Sequence, residues 1–220
     1  MTSAPPNPRA ITFIDGQNLF NAAKQAFGYK FPNYDVVKLS QELCTSRGWT
    51  LAQVRFYTGL PEPSDPRHAF WANKLAAFGR QGVVSYSRPL RYRYEDIVRA
   101  NGTTEHVRVP TEKGIDIRLA LDVIRLAYSD RLDVALIFSQ DQDYSEVARE
   151  IRAMSRGMSR WMKVASAFPD SDASANKRGI NDTDWIPISR VTYDLCIDPA
   201  DYRPPKQRIR KQRRSTLSAA

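Results

Sequence analysis

The stretch that decides the fold is Ile11-Thr12-Phe13-Ile14-Asp15-Gly16-Gln17-Asn18, in which an apolar run ends on an aspartate followed by a glycine. A continuous apolar run over residues 10–15 predicts a strand buried on both faces, as parallel strands are. Residues 17–27 then carry apolar side chains at helical spacing. The stretch therefore predicts the first strand and helix of an α/β fold, with Asp15 at the carboxyl end of the strand.

The same alternation of strand and helix continues along the chain. It predicts strands over 50–57, 83–87, 133–139 and 162–168, and helices over 34–46, 68–80, 115–129 and 143–156. We expect 162–168 to be the last parallel strand, 169–184 to be a loop, and 185–198 to return and pack on the body. The predicted fold class is α/β, a parallel sheet flanked by helices.

Residues 88–110 interrupt this alternation with arginines interleaved with tyrosines. An Asn101-Gly102 pair between two extended runs predicts a projecting β-hairpin. Along its first strand, Arg91 and Arg93 should face one side, and the tyrosines that alternate with them should face the other and pack on the body. The arginine face, with Arg88, is predicted to hold nucleic-acid phosphates. The alternative is a ribbon that merely exposes its charges.

Two further stretches place aspartates where they can join Asp15. They are Glu112-Lys113-Gly114-Ile115-Asp116 and Val134-Ala135-Leu136-Ile137-Phe138-Ser139-Gln140-Asp141-Gln142-Asp143. In an open parallel sheet, the carboxyl ends of the strands form the functional edge. Carboxylates gathered there repel one another unless a cation lies between them, and ligands that are all oxygen favour Mg²⁺ or Mn²⁺. The leading interpretation is a metal-dependent site that acts on phosphodiesters.

Most of these residues also have a structural interpretation. Asp15-Gly16 is ordinary turn chemistry, and Asn18 would then cap the following helix. Asp143, with Glu146 three residues later, resembles a capping box, whereas Asp141 has no such structural role in the sequence.

The predicted helix 115–129 separates two aspartates by their position around its axis. At about 100° per residue, one narrow stripe holds Arg118, Asp122, Arg125 and Ser129. We expect this stripe to be solvated, with an ion pair between Arg118 and Asp122. Asp116 falls on the opposite, packed side, where an aspartate is costly unless it is paired, capping or metal-bound. We therefore predict a functional role for Asp116 and none for Asp122.

Length, composition and charge bound the remaining classes. The chain has 220 residues with 42% hydrophobic content, which suits one domain, and no apolar run long enough to span a membrane. We expect a flexible lead-in over 1–9, a domain over 10–198 and a basic, disordered tail over 199–220. Residues 203–220 hold seven of the lysines and arginines that give the net charge of +9. We expect the tail to contact nucleic acid, the alternative being a solubilising end.

Several other chemistries lack their signatures in this chain. It has no GxxxxGK[ST] phosphate loop and no GxSxG elbow, and its two histidines have no metal-ligand spacing, so no zinc site is expected. The two cysteines have no CxxC spacing, and the cytoplasm is the expected compartment. A phosphatase acting on small nucleotides is an alternative, but the DxD pair that would favour it is missing from Asp15-Gly16-Gln17.

Asp15-Gly16-x-Asn18, Lys113-Gly114-x-Asp116 and Ser139-x-Asp141-x-Asp143-Tyr144, in this order, resemble the NYN domain family. More particularly, the chain looks like the LabA-like branch, relatives of PIN-domain and FLAP-type nucleases, over roughly residues 10–168. The resemblance implies a PIN-like Rossmannoid fold and a ribonuclease dependent on Mg²⁺ or Mn²⁺. It implies the metal ligands Asp15, Asp116, Asp141 and Asp143, with Asn18 supporting the site. The family's Ser-Gly-Asp turn is here Ser139-Gln140-Asp141, and because glutamine tolerates positive φ less well than glycine, we expect a shifted turn.

Together, these patterns predict metal-assisted hydrolysis of RNA by an endoribonuclease. The predicted catalytic residues are Asp15, Asp116, Asp141, Asp143, Asn18 and Ser139, where Ser139 would support a metal-bound water or close the turn. The predicted nucleic-acid contacts are Arg88, Arg91, Arg93, Lys113, Arg208, Arg210 and Lys211, and the alternative for Lys113 is a solvated surface residue. The competing interpretation is a PIN-like RNA-binding regulator with little or no activity. No membrane partner is expected, and the sequence leaves RNA against DNA, endonuclease against exonuclease, and homo-oligomerisation open.

Overall fold

The computed structural model describes residues 3–99 and 101–205. In chain order, its elements are β1 (Arg9–Asp15), α1 (Gly16–Phe27), α2 (Val36–Ser46), β2 (Thr50–Leu60), α3 (His68–Arg80), β3 (Val84–Pro89), β4 (Arg91–Val98), β5 (Thr104–Thr111), α4 (Ile115–Tyr128), β6 (Val134–Phe138), a 3₁₀ turn (Gln142–Tyr144), α5 (Ser145–Gly157), β7 (Lys163–Pro169), β8 (Asp184–Ile188) and α6 (Arg190–Leu195). Six strands form one parallel sheet in the order β3-β2-β1-β6-β7-β8. The predicted α/β fold class is confirmed.

Helices cover both faces of the sheet, because neighbouring residues of the central strands point into different cores. In β1, Ile14 belongs to the core beneath α1, α2 and α3, while Phe13 belongs to the core beneath α4 and α5. All five residues of β6 are fully buried. The carboxyl ends of β1 and β6 are therefore adjacent and firmly held, which fixes the positions of the loops that follow them.

The prediction that 162–168 is the last parallel strand is wrong. β8 pairs in parallel with β7, and Ile186 and Ile188 of β8 are buried. Periodicity missed β8 because it is short and contains a proline, and because the polar segment before it does not form the helix that usually joins parallel strands. The predicted return of 185–198 onto the body is confirmed by the burial of Tyr193 and Cys196.

The predicted hairpin is confirmed as β4 and β5, which pair antiparallel from Arg91 opposite Thr111 outwards. Gly102 takes the positive φ, +80°, that this turn requires. Arg88, however, lies in β3 of the main sheet rather than in the hairpin. The inserted ribbon is thus shorter at its first end than the sequence predicts.

The two tyrosines of β4 differ in their surroundings. Tyr92 lies near the base of the hairpin, where its hydroxyl accepts a hydrogen bond from the backbone N–H of Glu62 and Arg108 stacks over its ring. Tyr94 lies two residues further out, is 63% exposed and stacks on His106. The prediction that the tyrosine face packs on the body therefore holds for Tyr92 and is wrong for Tyr94, because only the base of the hairpin contacts the body.

A search of the described part of the chain found no helix with the length and apolar character needed to cross a membrane.

Candidate functional site

Asp15 lies at the junction where β1 passes directly into α1. Its Oδ1 accepts a hydrogen bond from the backbone N–H of Asn18 at 3.0 Å, so Asp15 is the helix cap. The alternative in which Asn18 caps the helix is wrong. Gly16 allows the junction to pack tightly against β2, since a Cβ there would lie 2.4 Å from the ring of Phe56. The carboxylate of Asp15 is thus fixed at the edge of the sheet.

Asn18 and Ser139 hold the turn that follows β6. The Oδ1 of Asn18 accepts a hydrogen bond from the backbone N–H of Gln140 at 3.0 Å, which ties α1 to this turn. The buried Oγ of Ser139 accepts a hydrogen bond from the backbone N–H of Asp141 at 3.2 Å and closes the turn. Both side chains therefore position Asp141 relative to Asp15.

Gln140 replaces the glycine of the family turn without backbone strain. In the described ranges, positive φ outside glycine occurs at Asp130, Ser159 and Asp182, and Gln140 does not have it. This turn therefore does not use the left-handed region, and a shift relative to the family's turn stays a prediction. The Gln140 side chain instead donates hydrogen bonds to the carbonyls of Asn176 and Arg178, which fastens the loop before β8.

The capping interpretations of Asp141 and Asp143 are reversed in the structure. Asp141 caps the 3₁₀ turn, because its Oδ1 accepts a hydrogen bond from the backbone N–H of Asp143 at 3.0 Å. Helix α5 begins only at Ser145, after Tyr144, and has no side-chain cap. The predictions that Asp141 lacks a structural role and that Asp143 begins a capping box are wrong, because the 3₁₀ turn moves the start of the helix by two residues.

Helix α4 buries Leu119 and Val123, but the exposure of its two aspartates is the reverse of what the periodicity predicts. Asp116, in its first turn, is exposed, while Asp122 is only 2% exposed. The exposed face instead carries Ile117, Leu121 and Tyr128. The predictions of a packed Asp116 and a solvated Asp122 are therefore wrong.

Asp122 is buried because it binds two partners from β2. Arg55 Nη2 lies 2.8 Å from its Oδ2, and the Tyr57 hydroxyl donates to the same oxygen at 2.9 Å. The predicted pair with Arg118 is confirmed at 3.2 Å. Burial opposes the charged form of Asp122, but hydrogen bonds from Arg55 and Tyr57 outweigh it and lower the pKa of the carboxyl. Asp122 thus fixes α4 on the sheet and sets the position of its first turn.

Four carboxylates influence one another at the carboxyl edge of the sheet. Burial is the main cause that raises the pKa of Asp15 to about 6, and the charges of Asp141 and Asp116 add to it. The hydrogen bond from Asn18 acts in the opposite direction and lowers this pKa. Burial, then Asp15 and Asp116, raise the pKa of Glu112 to about 7, against a hydrogen bond from the backbone of Gly59. Asp15, Asp116 and Asp141 therefore lie within range of one another's charge, and Glu112 joins them.

Glu112 is the site residue that sequence reasoning missed. It directly precedes Lys113-Gly114, and β5 ends at Thr111, so the second strand of the hairpin delivers Glu112 to the carboxylate edge. Its position beside a recognised motif was a signal, but its burial depends on the return path of the hairpin.

Tyr144 lies among the same carboxylates. Its side chain is 2% exposed, and burial followed by the charges of Asp15, Asp116 and Asp141 raises the pKa of its hydroxyl far above the usual value. Among the described residues, its hydroxyl and the Oε1 of Glu112 are buried without a hydrogen-bond partner. These two unpartnered oxygens, among several carboxylates, mark a place where a cation or a polar ligand would be stabilised.

The donor set fits a hard cation, although the side chains are spread. Within 3–99 and 101–205, no three His, Cys, Asp or Glu side chains are grouped closely enough to hold one ion. Carboxylates without a bridging cation repel one another, so spreading is the arrangement expected of the chain by itself. Asp143 is exposed and is not among the largest influences on the pKa of Asp15, Glu112 or Tyr144. Asp143 is therefore the predicted ligand with the least connection to the other three aspartates.

Two of the predicted basic contacts lie beside this site. A Cβ on Gly114 would lie 2.7 Å from Arg88 Nη1, so Arg88 reaches the N-terminus of α4, and Lys113, just before the cap Gly114, is exposed. Arg91 is exposed on the hairpin, and Arg93 is paired with Glu95 at 2.6 Å. The predicted contacts Arg208, Arg210 and Lys211 lie outside the described residues.

Comparison with protein families matches the chain to the NYN domain over residues 9–175. Comparison with curated proteins found no match. Among solved structures, the chain is similar to a protein of unknown function from Vibrio parahaemolyticus RIMD 2210633, with 15% identity, coverage of 86% of this chain and 98% of that chain, and a TM-score of 0.47. The family match spans most of the chain and includes all three aspartate motifs. The chain therefore belongs to the NYN domain family.

Proposed function

We propose that this protein is a metal-dependent endoribonuclease of the LabA-like branch of the NYN family, within the PIN-like nucleases. The observation that carries the proposal is that the charges of Asp15, Asp116, Asp141 and Glu112 all act on the buried, unpartnered hydroxyl of Tyr144. Family membership supports a nuclease in general. Metal dependence, RNA as substrate and internal cleavage are the parts that require testing.

The proposed ligands of Mg²⁺ or Mn²⁺ are Asp15, Asp116 and Asp141, with Glu112 beside them and Asp143 as an outer ligand. A bound ion of this kind supplies an activated water and stabilises charge on the phosphate and on the leaving oxygen. The all-oxygen donor set matches the preference of these ions.

The surrounding residues position these carboxylates. Asn18 orients Asp15 through its backbone N–H and the Asp141 turn through its side chain. Ser139 closes the same turn. The buried hydroxyl of Tyr144 can donate a hydrogen bond to a carboxylate or to a phosphate oxygen. Each of these groups keeps charge-bearing atoms in place before substrate arrives, which is how preorganised sites lower a barrier.

Basic residues would hold the RNA backbone on both sides of this site. Arg88 contacts Gly114, the N-cap of α4, and Lys113 directly precedes that cap. Arg91 and Arg93 extend this surface along the hairpin, and Arg208, Arg210 and Lys211 would add contacts from the tail. Such contacts to phosphates are independent of base sequence and weaken with salt.

Cleavage of labelled single-stranded RNA, in Mn²⁺, Mg²⁺ or EDTA, tests the proposal. We expect cleavage only with metal. Asp116→Asn should abolish cleavage because it removes a proposed metal ligand, and the variant should still fold because Asp116 is exposed. Asp172→Asn is the matched control, because Asp172 is an exposed aspartate away from the candidate site. Its neighbour Ser171 donates a hydrogen bond to the carbonyl of Ala26, at the opposite end of α1 from Asp15. Internal fragments from a circular RNA would establish endonucleolytic action.

Failure to cleave with intact binding would instead support the alternative, an RNA-binding regulator. The observation that favours this alternative is that Asp15 and Asp141 each cap the helical turn that follows them. Melting curves distinguish the two before any substrate is added, because Mn²⁺ should stabilise the wild type by mass action and stabilise Asp141→Asn less.

A further inference from the structure

A cavity of about 800 Å³ adjoins the carboxylate site and has no role in the chemistry described above. Its wall includes five aromatic side chains, Phe20, Phe31, Phe70, Trp71 and Tyr202. Its volume falls within the range typical of small-ligand sites. The cavity is therefore large enough for a nucleoside with part of its backbone.

One end of the cavity lies next to residues that border the carboxylates. Gly16 and Gln17, which line it, directly follow Asp15. A Cβ on Gly59, also in its wall, would lie 3.4 Å from the carboxyl carbon of Glu112. A base held in the cavity could therefore belong to the same nucleotide chain as a phosphate at the carboxylate site.

Segment 198–203 closes the opposite side of the cavity. Tyr202 packs edge-on against Phe70, with ring centroids 6.0 Å apart, and its carbonyl accepts a hydrogen bond from Asn73. Asp198 is paired with the buried Lys74 at 3.2 Å. This wall depends on a charge pair and aromatic contacts, so the cavity is a built feature of the fold.

Phe31 is the aromatic side chain most available to a ligand. It is 54% exposed, whereas Trp71 stacks on Phe56 of the core. Lys30, next to Phe31, is exposed on the same rim and offers a positive charge. An aromatic surface with a cation at its edge suits a base whose backbone carries phosphates.

We propose that this cavity binds an unpaired nucleobase of a single-stranded nucleic acid, next to the phosphate held at the carboxylate site. This inference rests on the proposed nuclease function for the position of that phosphate. A base within a duplex must first be unstacked and unpaired at an energetic cost, whereas a base of a single strand can insert without that cost. The cavity therefore favours unpaired regions of the substrate.

Binding measured in EDTA tests the cavity separately from cleavage. The probes are a short fluorescein-labelled single-stranded RNA and an abasic strand of the same length, followed by fluorescence anisotropy. We expect the wild type to bind the strand with bases at least about 5-fold more tightly, the lower range for stacking one base. Equal affinity for the two strands would overturn the proposal, and this comparison needs no variant.

Substitutions locate the discrimination in the cavity. Phe31→Ala should lose about 5-fold or more in affinity for the strand with bases and bind the abasic strand as before, and Phe31→Trp should restore the difference. Tyr128→Ala, which removes an exposed aromatic ring from α4, is the matched control and should have no effect. Unchanged discrimination in a folded Phe31→Ala variant would overturn the assignment. A lack of cleavage in Mn²⁺ would refute the nuclease proposal while leaving this binding result intact.

Discussion

At the scale of the residue, partners decide where a charge can lie. Asp122 is buried because Arg55 and Tyr57 satisfy its oxygens, whereas Asp116 is exposed in the first turn of α4. A buried charge is stable only when it is paired and hydrogen-bonded. The two aspartates, six residues apart on one helix, therefore have opposite roles, one in the fold and one in the candidate site.

Asp122→Asn should lower the free energy of unfolding by about 3 kcal/mol, because it leaves the buried Arg55 without its charge partner. Asp116→Asn, at an exposed position, should leave the free energy of unfolding unchanged or slightly higher, since it relieves repulsion between Asp116 and the neighbouring carboxylates. Urea unfolding of the two variants and the wild type measures the difference. Equal stability of the two variants would show that the Asp122 network does not hold α4.

Glu112 should make the stability of the metal-free protein fall as pH rises. Its pKa is raised from 4.5 to about 7 in the folded protein. The contribution of its neutral form to the free energy of unfolding is therefore complete below about pH 4.5 and is lost as pH rises through 7. Glu112→Gln stays neutral, and it should gain about 1–3 kcal/mol on the wild type between about pH 5 and about pH 8.

Thermal melts in EDTA across that range measure this gain. Asp15, whose pKa is raised in the same direction, retains part of the pH dependence in the variant. Glu150→Gln, on the exposed face of α5, is the control and should follow the wild type. Parallel curves for Glu112→Gln and the wild type would contradict the buried position of Glu112.

At the scale of the element, the ends of helices set the site. Helix α1 begins at the cap Asp15, α4 begins after the left-handed Gly114, and a 3₁₀ turn delays the start of α5. Each of these ends places an acidic side chain at the carboxyl edge of the sheet. The geometry of the site thus depends more on where helices start than on which face they bury.

Gly114→Ala should destabilise the protein by about 1–2 kcal/mol, because φ at this position is +73° and an added Cβ would crowd Arg88. Gly79→Ala is the matched control, since a Cβ at Gly79 meets nothing within 4 Å in helix α3. That control should raise stability by about 0.5–1 kcal/mol. Differential scanning calorimetry measures both, and changes of the same sign would contradict the argument.

At the scale of the whole molecule, charge and shape act on different parts of a substrate. Seven of the basic residues behind the net charge of +9 lie in 203–220, which leaves the rest of the chain close to neutral. The carboxylate edge and the aromatic cavity instead offer local recognition. We expect the terminal charges to supply affinity that is independent of sequence, and the cavity to select unpaired bases.

Deletion of 206–220 should weaken RNA binding and flatten its salt dependence, by a slope of roughly 0.7 for each phosphate that the tail neutralises in the full chain. The deletion begins at 206 so that Tyr202 and the cavity wall are kept. Removal of 215–220 alone, which carries no charge, is the control. Binding titrations in EDTA at several salt concentrations measure the slope, and an unchanged slope would assign the tail to another partner.

The sequence by itself determined the parallel α/β fold, the hairpin and the gathering of aspartates at strand ends. These depend on local patterns: the apolar run that ends at Asp15, the Asn101-Gly102 turn, and the aspartates that follow β6. Such patterns are visible along the chain because strand and helix periodicity, turn chemistry and burial of apolar runs are properties of neighbouring residues.

Only the tertiary structure decided which charges are buried, where β8 pairs, and that Glu112, Tyr144 and the aromatic cavity adjoin the site. Asp122 depends on Arg55, 67 residues earlier in the chain, and Tyr202 packs on Phe70, which is still more distant in sequence. A helical wheel places a side chain on a face but does not show what covers that face. Burial of polar groups is set by partners distant in sequence, so it emerges only when the elements pack together.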